Sequence, residues 1–246
     1  MIVTTTNVLA GVSPTITTGA SSDTPSNITS EDFSLNYTST NQQWLGIEFG
    51  VVAAITYVAV AGITNGTGGA GRVKLLDGVT SIETTSITRN NVIVFTFESQ
   101  SFTNLKIELA NDLANLTPTV SYIAAGNTLT IPNSGETGGH NRSWLERSLK
   151  TKTTVNSSSA PISSLRKKVA LKGKLNIPNV TASFSQVEWQ DFLDFASENI
   201  FFINEDSTKT QSSYCCYELM TATVKAHGQT RALNNLALSF KIYNGL

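Results

Sequence analysis

The chain has 246 residues, of which 14 % are charged and 40 % are hydrophobic, and its formal net charge is -1. This length suffices for one large β-domain or two ordinary domains, each with a buried core. Few charges and many Thr, Ser, Asn and Gly residues are typical of sheets and turns rather than helical bundles. Ten acids and four bases up to Gly139, then eight acids and thirteen bases, indicate a boundary near residues 135–140. Neither part is basic enough to predict nucleic-acid binding.

The cysteines and the apolar runs restrict the class of protein further. Cys215 and Cys216 are adjacent, and neighbouring side chains on a strand face opposite ways. We therefore expect one thiol in the core and one near the surface, with no disulfide between them. Reduced thiols and the lack of a signal peptide predict synthesis in the cytoplasm. The longest apolar run, Val51 to Ile63, is interrupted by Thr56 and is too short to cross a bilayer.

The first half of the chain is predicted to contain an arm and a jelly roll. Residues 1–34 are rich in Thr, Ser, Gly and Pro, which indicates an extended arm or loosely attached first strands. In residues 35–135, short apolar runs alternate with turn signals at a spacing of about 8–12 residues, which is typical of a β-sandwich. The strand over Gln43 to Gly50 places Trp44, Ile47 and Phe49 as expected core anchors. Further strands are predicted over Val51–Ile63, Arg72–Leu76, Val92–Phe97 and Leu105–Leu109.

Residues 136–246 are predicted to form a second β-sandwich. One face of a long strand is apolar and comprises Val169, Leu171, Gly173, Leu175 and Ile177. The opposite face presents Lys168, Lys172 and Lys174. These lysines are either simply solvated or form an oligomer-interface stripe for an acidic neighbour, such as the acidic first half of another copy. The last strand, Leu236 to Tyr243, alternates in the same way and is expected to complete a sheet.

One flanking α-helix is predicted over residues 185–198. Ser185 can cap its start and Glu188 occupies the third helical position, the arrangement of a capping box. A buried face follows at helical spacing and comprises Trp189, Phe192, Leu193 and Ala196. The carboxylates of Glu188, Asp191 and Asp194 cluster toward the helix start, where the helix dipole favours anions. Their position therefore does not require a metal or an acid–base role.

No catalytic or metal-binding pattern is visible in the sequence. The two histidines, His140 and His227, lie in different predicted loops, and no G-x-S-x-G motif occurs. The glycine-rich segment 65–71 lacks the Lys-Ser/Thr pair of a phosphate-binding loop and is predicted to be a hairpin loop. We therefore expect no enzyme, no cofactor and no metal.

Two stretches in the first half resemble a known fold. Gln42 to Gly50, followed by Ile55 to Gly62, resembles the core of discoidin-like, galactose-binding-like jelly rolls. This resemblance implies the fold, and such folds bind sugars through loops at one end. The tryptophans at 44, 144 and 189 are all expected on strands or in the helix, and no loop residue matches a ligand signature.

A second resemblance covers much of the other half. Tyr122 to Pro132, followed by Gly138 to His140 and Leu145 to Ser148, is similar to tail proteins of tailed bacteriophages. In those proteins an A-G-x-x-L-x-x-P strand and a G-G-H motif lead into a G-R-S strand. The helix and the strand at Phe201 also match, although Ile200 stands where those proteins have proline. The resemblance implies a distal tail or baseplate subunit with a tube-like C-terminal β-sandwich.

The expected function follows from this second resemblance. It implies a structural virion protein of a phage tail tip, located in the tail and not in a membrane. Copies would assemble into a ring, expected to be hexameric, around the tail channel and would link the tube or hub to receptor-binding proteins. The alternative is a carbohydrate-binding module or adhesin that acts through the N-terminal jelly roll. The two are compatible, since a tail subunit can keep a weak glycan site.

Overall fold

The computed structural model describes residues 1–41, 43–63, 71–87, 92–111, 117–132, 149–155, 161–168, 171–205, 213–227 and 232–243. Within these ranges the protein is mostly β, with a jelly-roll β-sandwich, a second large sheet and two consecutive helices. The strands of the first half are β1 (Ile2–Thr4), β2 (Thr15–Thr18), β3 (Tyr37–Thr38), β4 (Trp44–Ala61), β5 (Gly71–Asp77), β6 (Thr80–Ser86), β7 (Val92–Asn111), β8 (Thr119–Val120), β9 (Tyr122–Gly126) and β10 (Thr128–Thr130). A short 3-10 helix spans Pro25–Thr29.

The remaining elements belong to the second half of the chain. They are β11 (Leu149–Val155), β12 (Pro161–Lys168), β13 (Leu171–Thr181), α1 (Ala182–Gln186), α2 (Glu188–Glu198), β14 (Phe201–Asn204), β15 (Ser213–His227) and β16 (Leu233–Tyr243). The predicted boundary near residues 135–140 lies outside the described residues, as does most of the glycine-rich segment, of which Gly71 begins β5.

Two long, irregular strands, β4 and β7, build the jelly roll. Four register shifts between Glu48 and Tyr57 divide β4 into two halves. The first half pairs with β2 and with the end of β7, which continues to β5 and β6. The second half pairs with the start of β7 and with β9. Both halves contribute side chains to the same core, for example Ile47 from the first half and Val60 from the second. The register shifts between the two halves therefore mark the bend at which β4 passes from one layer of the sandwich to the other.

The second large sheet uses both ends of the chain. Its order is β10-β1-β14-β15-β16-β13, so β1 lies between β10 and β14. Ile2 is opposite Thr130 on one side and Asn204 on the other. The segment predicted as an arm or loosely attached strands thus contains a strand paired on both sides. We call this sheet with α1 and α2 the carrier sheet.

The jelly roll is an insertion within the carrier sheet. β1 and β10 are neighbours, and everything between them belongs to the sandwich and its connections. The chain segments at which the jelly roll begins and ends are hydrogen-bonded to each other. The Thr5 amide donates to the Asn127 carbonyl at 2.9 Å, and the Val8 amide donates to the Ala125 carbonyl at 2.8 Å. Adjacent ends are the usual geometry of an inserted domain.

The jelly roll and the carrier sheet share a hydrophobic core. In the second half of β4, Val58 and Val60 face the jelly-roll core, whereas Tyr57 faces the carrier sheet. The Tyr122 ring stacks on the Phe202 ring with centroids 6.2 Å apart. The shared core comprises Tyr57, Ala59, Ala61, Val92, Val94, Tyr122, Ala124, Ile200, Phe202 and Cys215. It joins both sheets into one folded unit.

The helices cover the other face of the carrier sheet. The predicted burial of Trp189, Phe192 and Ala196 is confirmed, and the Trp189 and Phe192 ring centroids lie 5.0 Å apart. The predicted alternation of β13 is confirmed where it is described, because Leu175 and Ile177 are buried against the same cluster. The last strand behaves likewise, with Leu236, Leu238, Phe240 and Ile242 buried.

The predicted capping box at Ser185 is wrong. The helical segment begins earlier, at α1, where the Thr181 hydroxyl oxygen accepts from the Phe184 amide at 3.2 Å. The Ser185 hydroxyl instead donates to the Ala182 carbonyl at 2.9 Å and accepts from the Asn234 side-chain amide at 2.5 Å. Ser185 is buried inside the helical segment, so its polar group serves a tertiary contact rather than a cap.

The expectation that one thiol lies near the surface is also wrong. Cys215 and Cys216 do face opposite ways, but both are fully buried. Cys215 lies in the shared core and Cys216 in the core beneath the helices. The sheet is covered on both faces at this position, and burial raises the pKa of both thiols.

The buried thiols give a first prediction. We expect neither cysteine of the folded protein to react with Ellman's reagent at about pH 8, because the thiolate is disfavoured and access is blocked. In denaturant the same assay should titrate two thiols per chain. Rapid reaction of one thiol in the folded protein would contradict the two-sided burial.

The shared core gives a second prediction, on stability. Phe202→Ala should lower the free energy of unfolding by about 3–5 kcal/mol, because it leaves a cavity between the sheets. Unfolding in urea should remain one transition when followed by tryptophan fluorescence and by circular dichroism. Val79→Ala, at a side chain that is 97 % exposed, serves as the control and should change stability by less than about 0.5 kcal/mol. Two separate transitions in the unsubstituted protein would show that the jelly roll and the carrier sheet unfold independently.

Candidate functional site

Trp44 is an exposed aromatic side chain on the jelly roll. It is the first residue of β4 and retains 37 % of its surface in contact with solvent. The expectation that it is a core anchor is therefore wrong. The pleat of β4 turns Leu45 and Ile47 inward, both fully buried, so Trp44 must point to the outer face of the sheet. Ile47 is buried as predicted, and Phe49 packs partly buried against the jelly-roll core.

Cationic side chains surround this tryptophan. The Lys74 ammonium lies 5.5 Å from the centroid of the Trp44 ring, which is cation–π distance. Trp44 and Arg72 both pair with Ala110 from opposite sides, so all three share one row of the sheet. In the next row Lys74 is opposite Glu108. We call the exposed surface of Trp44, Arg72, Lys74 and Glu108 the Trp44 face.

The backbone around Trp44 is held firmly. The Asn41 side-chain oxygen accepts from the Gln43 amide at 2.9 Å and from the Trp44 amide at 3.2 Å. The Ser39 hydroxyl donates to the Trp44 carbonyl at 2.8 Å. Gly19 allows this approach, since a Cβ there would lie 2.7 Å from the same carbonyl oxygen. The start of β4 is thus positioned by side-chain hydrogen bonds as well as by the sheet.

The charged groups on the outer sheet face are mutually compensated. The Lys106 ammonium lies 2.8 Å from the Glu108 carboxylate, and both side chains are partly exposed. Lys74 is opposite Glu108 in the neighbouring strand, so the carboxylate that pairs with Lys106 lies in the same row as the lysine beside the Trp44 ring. Such a surface combines an aromatic face with hydrogen-bond donors.

The other tryptophans do not contribute to an exposed site in the described residues. Trp189 is fully buried on the inner face of α2, and Trp144 lies outside the described residues.

The predicted lysine stripe is divided between two elements. Lys172 and Lys174 are exposed on the same face of β13, as predicted. Lys168 is the last residue of β12, which pairs with β11 in a separate two-stranded sheet. Lys241 and Glu218 form an ion pair on the same face of the carrier sheet as Lys172.

The buried ionisable groups have structural roles. Burial raises the pKa of Tyr57 and of Tyr122. The Tyr57 hydroxyl donates to the Thr6 carbonyl at 2.7 Å, and the Tyr122 hydroxyl accepts from the Asn7 side-chain amide at 2.9 Å. Both phenols tie the chain between β1 and β2 to the jelly roll, so neither is poised for proton transfer.

The described ranges offer neither a metal-binding cluster nor a membrane-spanning helix. These ranges contain no group of three or more His, Cys, Asp or Glu side chains arranged to hold a metal ion. His227 ends β15 opposite Leu233, and His140 lies outside the description. None of the described helices has the length and apolar character needed to span a membrane.

Comparison with known proteins gives distant structural likenesses only. No protein family and no curated protein matches the sequence. The lectin domain of lectinolysin, solved with Lewis B antigen, is 13 % identical and aligns over 50 % of this chain and 97 % of that one, with a TM-score of 0.37. A fucose-binding module from Streptococcus pneumoniae is 10 % identical over 50 % of this chain and 95 % of the module, with a TM-score of 0.38.

An enzyme appears among the same structures. A GH29 fucosidase from Ruminococcus gnavus, solved with fucose, is 13 % identical over 50 % of this chain, with a TM-score of 0.40. The aligned part spans 27 % of the fucosidase. Because identities and TM-scores are this low, none of these likenesses assigns a ligand to the chain.

Proposed function

We propose that this protein binds carbohydrate through the Trp44 face of its jelly roll. The observation that carries the proposal is the exposed Trp44 ring beside the Lys74 ammonium. The side chains of Asn41 and Ser39 hold the backbone of Trp44 by hydrogen bonds, so the exposed ring is presented at a fixed place on the sheet. The proposed role is binding without catalysis.

The chemistry of the Trp44 face suits a sugar ring. The apolar C–H face of a pyranose can stack on the indole, while sugar hydroxyls accept hydrogen bonds from Lys74 and donate to the Glu108 carboxylate. The side chains of Asn41 and Ser39 form hydrogen bonds with the main chain of Trp44, and these bonds hold the start of β4 in place before a ligand arrives. Little conformational freedom of this backbone would then be lost on binding.

The architecture leaves this face available. The first half of β4 lies in one layer of the sandwich, and the second half lies in the layer that contacts the carrier sheet. Trp44 points away from the jelly-roll core in the first layer. The Trp44 face and the shared core therefore lie on opposite sides of the sandwich.

A glycan array with the full chain tests this function. The array should include fucosylated glycans and Lewis b alongside a broad set of other glycans. For the best glycan, Trp44→Ala should weaken binding by about tenfold or more, as is common for a tryptophan at the centre of a binding surface.

A matched control variant is available in the same chain. Tyr217 on β15 is also 37 % exposed, and Tyr217→Ala should leave glycan affinity unchanged. Trp44→Ala should change the free energy of unfolding by less than about 0.5 kcal/mol, so that a loss of glycan binding cannot be explained by a loss of folding. Glycan binding that survives Trp44→Ala would move the site elsewhere, and an array without any hit would reject the proposal.

A second candidate is a structural subunit of a phage tail tip, located in the virion. It is favoured by the carrier sheet, a separate helix-flanked sheet that holds the jelly roll as an insertion. Edge strand β13 pairs only with β16 among the described strands, which leaves an edge for a neighbouring subunit. In this proposal copies form a ring, plausibly of six, between the tail tube or hub and receptor-binding proteins.

Native mass spectrometry and negative-stain images of the untagged protein test the second candidate. Closed rings with a central channel are expected if the carrier sheet assembles. A protein that stays monomeric at high concentration, and also in the presence of tail-tube subunits, would reject it. Rings and glycan binding can coexist, and each is read by a different measurement.

A further inference from the structure

A preformed cavity opens on the carrier sheet, away from the Trp44 face. It lies on the strands β13, β15 and β16 and has a volume of about 330 Å³. Ala237 of β16 pairs with Asn176 on one side and Thr223 on the other, so a small side chain lies between two longer ones. Pro178 and Lys225 also line the cavity. The volume is at the lower end of ligand pockets, which suits one sugar unit.

The lining is largely apolar, through Ile177, Pro178, Leu236 and Ala237, and it also offers hydrogen-bond donors and a positive charge. Asn176 and Asn235 contribute amides, Thr223 a hydroxyl and Lys225 an ammonium. The described residues that line the cavity include no acid. An amide and a hydroxyl can each both donate and accept, which matches vicinal sugar hydroxyls, whereas the ammonium matches an anion.

The surrounding sheet face strengthens the positive potential. Lys172 and Lys174 are exposed there, and Lys172 is directly opposite Lys241 on β16. Lysines that face each other across strands repel unless an acid lies nearby. Among the described ion pairs, Glu218 pairs with Lys241 and not with Lys172. The face thus keeps a positive excess, which attracts anionic ligands.

A β-bulge forms one side of the cavity. The register of β13 shifts between Ile177 and Val180, and Asn179 takes a left-handed conformation with φ 58°. The Asn179 amide donates to the Asn235 side-chain oxygen at 3.1 Å, which orients that amide group. Pro178 fixes the backbone beside it. Sites on strands with locked neighbours hold a ligand more precisely than sites on loops.

Protection of an open sheet edge accounts for part of this composition. Lysine and proline on an edge strand discourage pairing with other chains, and β13 carries both. Edge protection does not require the concave arrangement of Asn176, Ala237 and Thr223 across three strands, nor the bond that orients Asn235.

We propose that this cavity binds a carboxylated sugar, with the Lys225 ammonium pairing with the carboxylate and the amides and Thr223 hydroxyl contacting the sugar hydroxyls. The site is separate from the Trp44 face. A carboxylate on an acidic peptide could offer the same charge, but it lacks the adjacent hydroxyls that the amides and Thr223 would bind.

Calorimetric titration of the full chain with trigalacturonic acid tests the proposal, with neutral galactotriose and hexaglutamate as comparison ligands. We expect trigalacturonic acid to bind at least tenfold more tightly than either, and raised salt to weaken it. Absence of trigalacturonate binding at millimolar concentration, or equal affinity for galactotriose, would overturn the proposal. Equal or tighter binding of hexaglutamate would replace the sugar with an acidic peptide and would likewise overturn it.

Three variants locate the site. Lys225→Gln should weaken trigalacturonate binding about tenfold, whereas Lys172→Gln, on the same face but outside the cavity lining, should change it less than threefold. Ala237→Leu should abolish binding by filling the floor of the cavity. Trp44→Ala should leave it unchanged, which separates this site from the one on the jelly roll. Equal losses for Lys225→Gln and Lys172→Gln would show diffuse charge attraction and overturn the assignment.

Discussion

The fold depends on strands that are buried on both faces. The second half of β4 and the start of β15 each place alternate side chains into two different cores. The shared core between them is filled by the Phe202 ring, which stacks on Tyr122 and lies against Tyr57. Burial of large aromatic side chains on both sides of an interface is a strong apolar contribution to folding. Without it, the jelly roll and the carrier sheet would be joined mainly through the chain segments around residues 5–8 and 125–127.

Two-sided burial also explains which sequence expectations hold. Where only one face is covered, alternation identifies the buried side chains, as along β16 and in Leu175 and Ile177 of β13. At Cys215 and Cys216 the same rule gives the right directions but the wrong exposure, because the sequence does not reveal that a second sheet covers the outer face. Local pattern sets orientation, and tertiary contacts decide burial.

Other features depend on contacts between residues far apart in sequence. The place of β1 follows from its pairing with residues 128–130 and 203–204, which composition cannot indicate. Ser185 has every local property of a helix cap, yet Asn234 engages its hydroxyl inside the fold. The sequence predicts Trp44 in the core because the apolar Leu45 beside it obscures the alternation, but Leu45 is the buried residue, so Trp44 faces the other way. The cavity on β13, β15 and β16 likewise requires a register and a bulge that only the structure shows.

The insertion of the jelly roll between two paired strands has a consequence for how such a protein can change over time. Because Thr5 and Asn127 lie side by side, one sandwich could be exchanged for another without altering the path of the carrier sheet. The exchange is constrained by shape, however. The sandwich contributes Tyr122, which stacks on the Phe202 ring of the carrier sheet, and Tyr57, which lies against the same ring. A transplanted sandwich would have to present aromatic side chains at matching positions to pack on the same ring, whereas its outward face would be free of that constraint.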